Sequence, residues 1–405
     1  MDRRSLLTLG AALAAGTLLP GCSQGGDPRL DVSSPSAASA TATPVIAHGL
    51  LDFAGTFLHG VAPQGTNAIC SPWSIAMVLS MLREGAVGQT GTEIDQLLGG
   101  TTPQFGDQLA AGYRSMQSSG RVTAANALWG QQSLAWQQDF LNRLRDGYSA
   151  PLTQADFIGN TEQTRLAIND WVAKQTENKI RDLLEPGLIK TETRLVAVNA
   201  LHFAAPWEVP LTEVGPLPFY QLSGESTSVP TLSGGGFWPW LSRNGWQGTA
   251  LPCQGRDFAL VVVKAQHQET TKVVPGSLFA DVLTAKPAQV AAQLPAWKFT
   301  FKDRLDDLLK ALGLRRAFDP ALADLSGMTT AEQLYLGFVV HQAVIEVNAW
   351  GIEAAAATAG AVVAGAGMAD PHQLVLDHWF SYALMHVPTR TPLFVGQVGD
   401  PTKTS

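Results

Sequence analysis

Charge is scarce in this chain of 405 residues. Asp, Glu, Lys and Arg make up 15% of it, the formal net charge is −7, and no stretch concentrates Lys or Arg. A nucleic-acid partner needs a basic face, so that class of function is not expected. Cysteine is nearly absent: Cys22, Cys70 and Cys253 are the whole set. Three cysteines do not make a disulfide framework in a chain this long, and Cys70 and Cys253 border apolar stretches that predict buried free thiols. The chain has no HExxH pair, no GxSxG elbow, no SxxK pair and no completed GxGxxG loop. Its eight His residues are scattered without metal-ligand spacing, so neither a metal nor a cofactor is expected. An enzyme built on a recognised motif is disfavoured, whereas one assembled from residues distant in sequence stays open. The apolar run Leu6–Leu19 is too short for a membrane span.

What is present begins with that run. Residues 1–22 read as an export signal: Arg3 and Arg4, then apolar residues, then "LLPGC" ending at Cys22. The ending resembles a lipobox, with Pro20 as a departure, and Arg3-Arg4-Ser5-Leu6-Leu7 resembles a twin-arginine signal. Cys22 is therefore expected to carry a lipid, the alternative being a plain cleaved signal. Residues 23–44 are rich in Ser, Ala, Thr, Pro and Gly and read as a flexible tether. Residues 45–405 show no second linker and no internal repeat, which predicts one folded domain. The expected location is the cell envelope or beyond it, with the domain lipid-anchored at the outer face of the membrane.

The first half of the domain reads as mainly helical. Ser71 can cap a helix that has Pro72 in its first turn and Gly85 at its end, with Ile75, Val78, Leu79 and Leu82 on one face. A second helical pattern ends at Thr176. The second half reads as strands at 194–203, 257–265, 296–301 and 335–349. One helix interrupts them, capped by Asp303 and stopped by Gly313. The class is α+β.

Late in the chain stands "GIEAAAATAGAVVAGAG", Gly351 to Gly367, with eight Ala, four Gly and one charge. It holds too little side chain for a core and too few polar groups for an ordinary linker. A membrane helix and an incidental loop are the plainer readings. A third uses its position between a strand ending near Val347–Ala349 and another starting near Leu374. Every second residue from Ile352 (Ala354, Ala356, Thr358, Gly360, Val362) is uncharged, and only Ile352 is large. Glu353 falls on the other, outward face. Such a segment can lie exposed or enter a sheet as a new strand, and fourteen residues would span roughly 46 Å.

"GIEAAAATA" resembles the hinge of the serpin reactive loop. The resemblance extends over everything after the tether. "NAICSPWSIAMVLSMLREGAVGQTGTEI" (67–94), "NALWGQQ", "INDWVAKQTENKI", "VNALHFAAPWEVPL", "LDDLLKALGLRRAF", "ADLSGM", "VVHQAVIEVNAWG" and "PLFVGQVGDP" follow in the family's order. Departures are Ala349 for the usual Glu, Ile352 for Thr or Ser, Trp379 for Pro and Ser381 for an aliphatic residue.

The resemblance implies a serpin fold: about eight to nine helices packed on three β-sheets, with an exposed reactive-centre loop at about 351–373. It implies a hinge of Gly351, Ile352, Glu353, Ala354, Ala355, Ala356, Ala357 and Thr358. It implies a polar shutter of Asn67, Ser71, Ser74, Asn199 and His341 under the main sheet, and Trp207 at the breach where the loop first enters. It implies no catalytic residue. The function it implies is suicide-substrate inhibition of serine, and secondarily cysteine, endopeptidases. A non-inhibitory envelope binding protein of the same fold is the alternative. Counting from the hinge puts the scissile bond at Gly365-Ala366, and counting back from the next strand puts it at Met368-Ala369. No Lys or Arg lies between Gly351 and Gln373, so elastase-, subtilisin- or chymotrypsin-like partners are expected rather than trypsin-like ones. A monomer is expected, with the membrane touched only through the lipid.

Overall fold

A computed structural model describes residues 44–61, 63, 65–100, 105–267, 274–354 and 370–403. Among them are eight α-helices: α1 (Pro44–Val61), α2 (Pro72–Arg83), α3 (Gly88–Leu97), α4 (Phe105–Gln117), α5 (Gln138–Tyr148), α6 (Thr161–Gln175), α7 (Gly276–Leu283) and α8 (Asp306–Ala311). Helix α2 starts where its sequence says it should. The Ser74 N–H donates to Ser71 Oγ at 3.2 Å, and Pro72 fills the first helical position, where a missing N–H costs no bond.

A seven-stranded sheet holds β2 (Val122–Gln131), β3 (Thr153–Ala155), β4 (Leu195–Phe203), β5 (Ala205–Pro206), β11 (Trp297–Arg304), β12 (Phe338–Asn348) and β13 (Gly351–Ile352). The remaining strands are β1 (Ala68–Cys70), β6 (Thr212–Tyr220), β7 (Ser226–Arg243), β8 (Trp246–Pro252), β9 (Phe258–Ala265), β10 (Pro287–Pro295), β14 (His372–Val375), β15 (Phe380–His386) and β16 (Thr391–Val398). These nine form two sheets that share β7, whose eighteen residues run through both without a break. The mixed α/β class and the serpin-like layout are as expected.

Two differences have plain causes. Asp303 does not cap α8. It lies inside β11, its carboxylate accepts the Arg304 N–H, and the helix covers only Asp306–Ala311. Asp306 instead accepts the Val339 N–H (2.8 Å) and pairs with Arg304, tying the helix start to β12. In the first half, the ten-residue strand β2 stands among the expected helices.

Strand β4 is buried on both faces, which explains its unbroken apolar run. Leu195, Ala197 and Leu201 join the main core with α1 and α2, while Val196, Val198 and Ala200 join a second core with Ile168 and Val172 of α6. The seven-stranded sheet is thus clamped between helices on both sides. Cys70 and Cys253 are buried and free, and burial pushes both thiols up, Cys253 to about 12.

Candidate functional site: the mouth of the seven-stranded sheet

Strands β4 and β12 lie parallel and paired from Phe338↔Val196 to Ala343↔Leu201. Beyond that point they part, and β13 sits in the gap. Ile352 pairs antiparallel with Val347 of β12 and with Ala205 of β5, and Gly351 with Asn348 and Pro206. The chain reaches this position by a tight turn in which Asn348 Oδ1 accepts the N–H groups of Trp350 (2.9 Å) and Gly351 (3.1 Å). Residue 351 has to be Gly. A Cβ there would stand 2.2 Å from the Ala205 carbonyl oxygen and 2.6 Å from Pro206 Cα.

Trp207, expected at the breach, holds this corner. Its backbone N–H donates to the Trp350 carbonyl and its Nε1–H to the Asn348 carbonyl, both at 2.9 Å, and the ring is buried. Leu211 N–H adds a bond to the Ala349 carbonyl (2.8 Å).

Ile352 and Glu353 occupy opposite faces, as the alternation predicts. Ile352 is 1% exposed within the main core. Glu353 faces the side where the chain leaves α6, and that side is not solvent. Its side chain is 8% exposed, and Oε2 meets His202 Nε2 of β4 and Lys179 Nζ (3.4 Å). The outward-facing reading of Glu353 is therefore corrected: the face is right, but another segment covers it. Burial pushes the Glu353 carboxyl up, yet the hydrogen bonds and charges of His202 and Lys179 outweigh that and hold it below the usual carboxylate range.

Further down the β4–β12 seam, four of the five residues expected in the shutter, Ser71, Ser74, Asn199 and His341, come together. His341 and Asn199 are register partners on the two strands, and His341 Nδ1 bonds Asn199 Oδ1. His341 Nε2 accepts the Ser71 N–H at 3.1 Å. Asn199 Nδ2 donates to Asn126 Oδ1 (2.8 Å), which also accepts Ser74 Oγ–H (3.1 Å). The start of α2 is thus bonded to β12 through His341 and to β2 through Asn126. An acceptor Nε2 pointed at a helix N-terminus has no room for a second proton. Burial pushes His341 down to about 3, so its ring is neutral.

Asn67 is not in this network. It precedes the short strand β1, and its side chain bonds the opposite way: Oδ1 accepts the Gly399 (2.9 Å) and Asp400 (2.8 Å) N–H groups, and Nδ2 donates to the Asp400 carbonyl (2.6 Å). Asn126, His202 and Lys179 were not singled out from sequence. An Asn inside the apolar strand β2 and a His inside β4 are the signals that could have found the first two. The remaining hinge residues Ala355, Ala356, Ala357 and Thr358, both candidate bonds (Gly365-Ala366 and Met368-Ala369) and Cys22 lie outside the described residues.

Known proteins point the same way. The family description "Serpin (serine protease inhibitor)" matches residues 48–401. A leukocyte elastase inhibitor from Bos taurus is 31% identical over 369 residues, covering 84% of this chain and 94% of the relative. Serpin B9 from Homo sapiens is 31% identical over 354 residues, covering 83% and 93%. Among solved structures, the thermophilic serpin tengpin in its native state superposes with a TM-score of 0.79 at 23% identity, covering 88% of this chain and 95% of that one. A gap between two parallel strands, plugged at its mouth by a glycine hinge and closed below by a neutral polar network, occurs here on a fold that these proteins share: the chain belongs to the serpin family of serine protease inhibitors.

Proposed function

We propose that this chain inhibits serine endopeptidases as a suicide substrate. The observation that carries the reading is the position of β13. Gly351 and Ile352 are already paired antiparallel to both flanking strands, so the loop's first residues mark a track that the rest can follow. Full insertion would part the six β4–β12 register pairs. It would replace one parallel ladder with two antiparallel ones, which are somewhat more stable per residue. The small side chains from Ala354 onward are what such a track admits.

The chemistry belongs to the protease. Its serine oxygen attacks the carbonyl carbon of the residue before the cut, and the peptide C–N bond breaks. The new amine leaves with a proton, and an ester links the protease to the loop. The freed arm then enters the sheet and carries the protease with it, distorting the protease's site before water can cleave the ester. The bovine relative is named for inhibiting an elastase. The absence of Lys and Arg from 352–372 fits an elastase-, subtilisin- or chymotrypsin-like target.

Mixing the chain with a panel of such proteases tests this. An SDS-stable complex, at the mass of the protease plus the chain less the segment after the cut and lost when the protease serine is replaced, is the expected result. Cleaved chain with fully active protease, and no complex with any member of the panel, would favour the non-inhibitory alternative.

A further inference from the structure

Glu353 stands at the point where the loop stops being sheet. Its N–H still donates to the Glu346 carbonyl of β12 (2.8 Å), and Asn348 Nδ2 reaches the Ala354 carbonyl (3.2 Å). Its own backbone bends away at φ 46°, a region in which a side chain crowds the backbone. Something has to hold that bend. The carboxylate joins His202, one residue past the last β4–β12 pair, and Lys179, in the segment that follows α6. The side chains of His202 and Glu353 are 6% and 8% exposed.

We infer that Glu353, His202 and Lys179 form an ionic latch that keeps the loop's first turn bent at the mouth of the sheet and sets how fast the rest of the loop follows. The inference rests on the insertion reading above. To continue as a strand, Glu353 must leave φ 46° for extended backbone, and the carboxylate must loosen its hold on β4. The latch therefore stabilises the bent state against insertion.

The neighbouring charges leave His202 as the variable partner. On β12, Glu346 is engaged by Lys298 of β11 (2.7 Å). From β2, Thr123 Oγ1 lies 3.4 Å from His202 Nδ1. Lys179 supplies a fixed positive charge, whereas His202 carries one only when protonated.

Hydrogen exchange of the Glu353 amide, measured in the uncut full chain and divided by its intrinsic rate, reads the latch without any protease. At pH 5.5, Glu353→Gln and His202→Gln are each expected to lower protection roughly tenfold, the scale of a charge-assisted hydrogen bond. Glu353→Gln is nearly isosteric, and His202→Asn offers a second route if the Gln variant folds poorly. Equal protection in wild type and in both Glu353→Gln and His202→Gln overturns the latch. A failure of the chain to trap any protease would remove the proposed function yet leave this measurement unaffected.

Discussion

Acid should loosen this protein through one histidine in particular. His341 is fully buried and held at about 3, against an ordinary value near 6.5. A group whose folded value is depressed below its unfolded value takes up protons on unfolding across the interval between them. For His341 the stability is complete above about pH 6.5 and is lost as pH falls toward 3. At pH 4.5, two units into that window, the loss is about 3 kcal/mol, or roughly a hundredfold in the folding equilibrium. His386, pushed down to about 4 by burial, contributes with the same sign, so total acid sensitivity does not isolate His341. A variant does. In His341→Gln, the side-chain amide can accept the Ser71 N–H with its oxygen and donate to Asn199 Oδ1 with its nitrogen, and it does not titrate. Urea unfolding of wild type and His341→Gln at pH 7.5 and 4.5 should show the variant losing less stability on acidification by about 3 kcal/mol. An equal loss in both proteins would refute the reasoning. So would a His341 ring-proton signal that titrates above pH 5.

Cutting the loop near Gly365 with a non-target protease should raise the melting temperature, because the freed arm completes the seven-stranded sheet; a lower or unchanged value in a thermal melt would count against insertion. Ile352→Arg would put a charge at a site 1% exposed and already paired on both sides, costing several kcal/mol. It should lower the melting temperature of the uncut chain and turn inhibitor into substrate on a gel. Glu353→Arg, which would replace the carboxylate facing His202 and Lys179 with a cation, should also be disruptive, so Glu353→Gln is the milder control. Cys22→Ala should abolish incorporation of a labelled lipid precursor; equal labelling of both proteins would dismiss the anchor. Cys70 and Cys253, buried with raised thiols, should resist a thiol reagent until the chain is unfolded.

Much of the fold was legible because local chemistry and burial agree there. Ser71-Pro72 at the head of an apolar stripe can hardly be read as anything but a helix start, and α2 begins there. The runs 194–203 and 335–349 are long and β-branched, and β4 and β12 fall inside them. Strand β7 was not legible. "SGGGFWPW" has the composition of a turn, yet three glycines and a proline lie in one continuous strand. The glycines answer to crowding: a Cβ on Gly235 would come within 2.6 Å of the Val290 carbonyl oxygen of β10, and one on Gly234 within 2.4 Å of Leu211. Composition records that a residue is small but not whether smallness serves bending or close approach.

The site divides along the same line. Periodicity assigned Ile352 and Glu353 to opposite faces, because a period of two is a property of the backbone. What covers each face is a property of the fold. The partners of Glu353 are 151 and 174 residues away, and no window of sequence holds them together. Asn67 shows the converse. The resemblance grouped it with Ser71 in one network, but β1 intervenes and its side chain bonds a segment more than 330 residues distant. Near neighbours in sequence were thus separated by a strand, while distant ones were joined at the mouth of the sheet. The consequence bears on the hinge itself. If insertion proceeds as proposed, the alanines and glycines there would allow it, whereas its timing would fall to His202 on β4 and Lys179 after α6, which the hinge sequence does not contain.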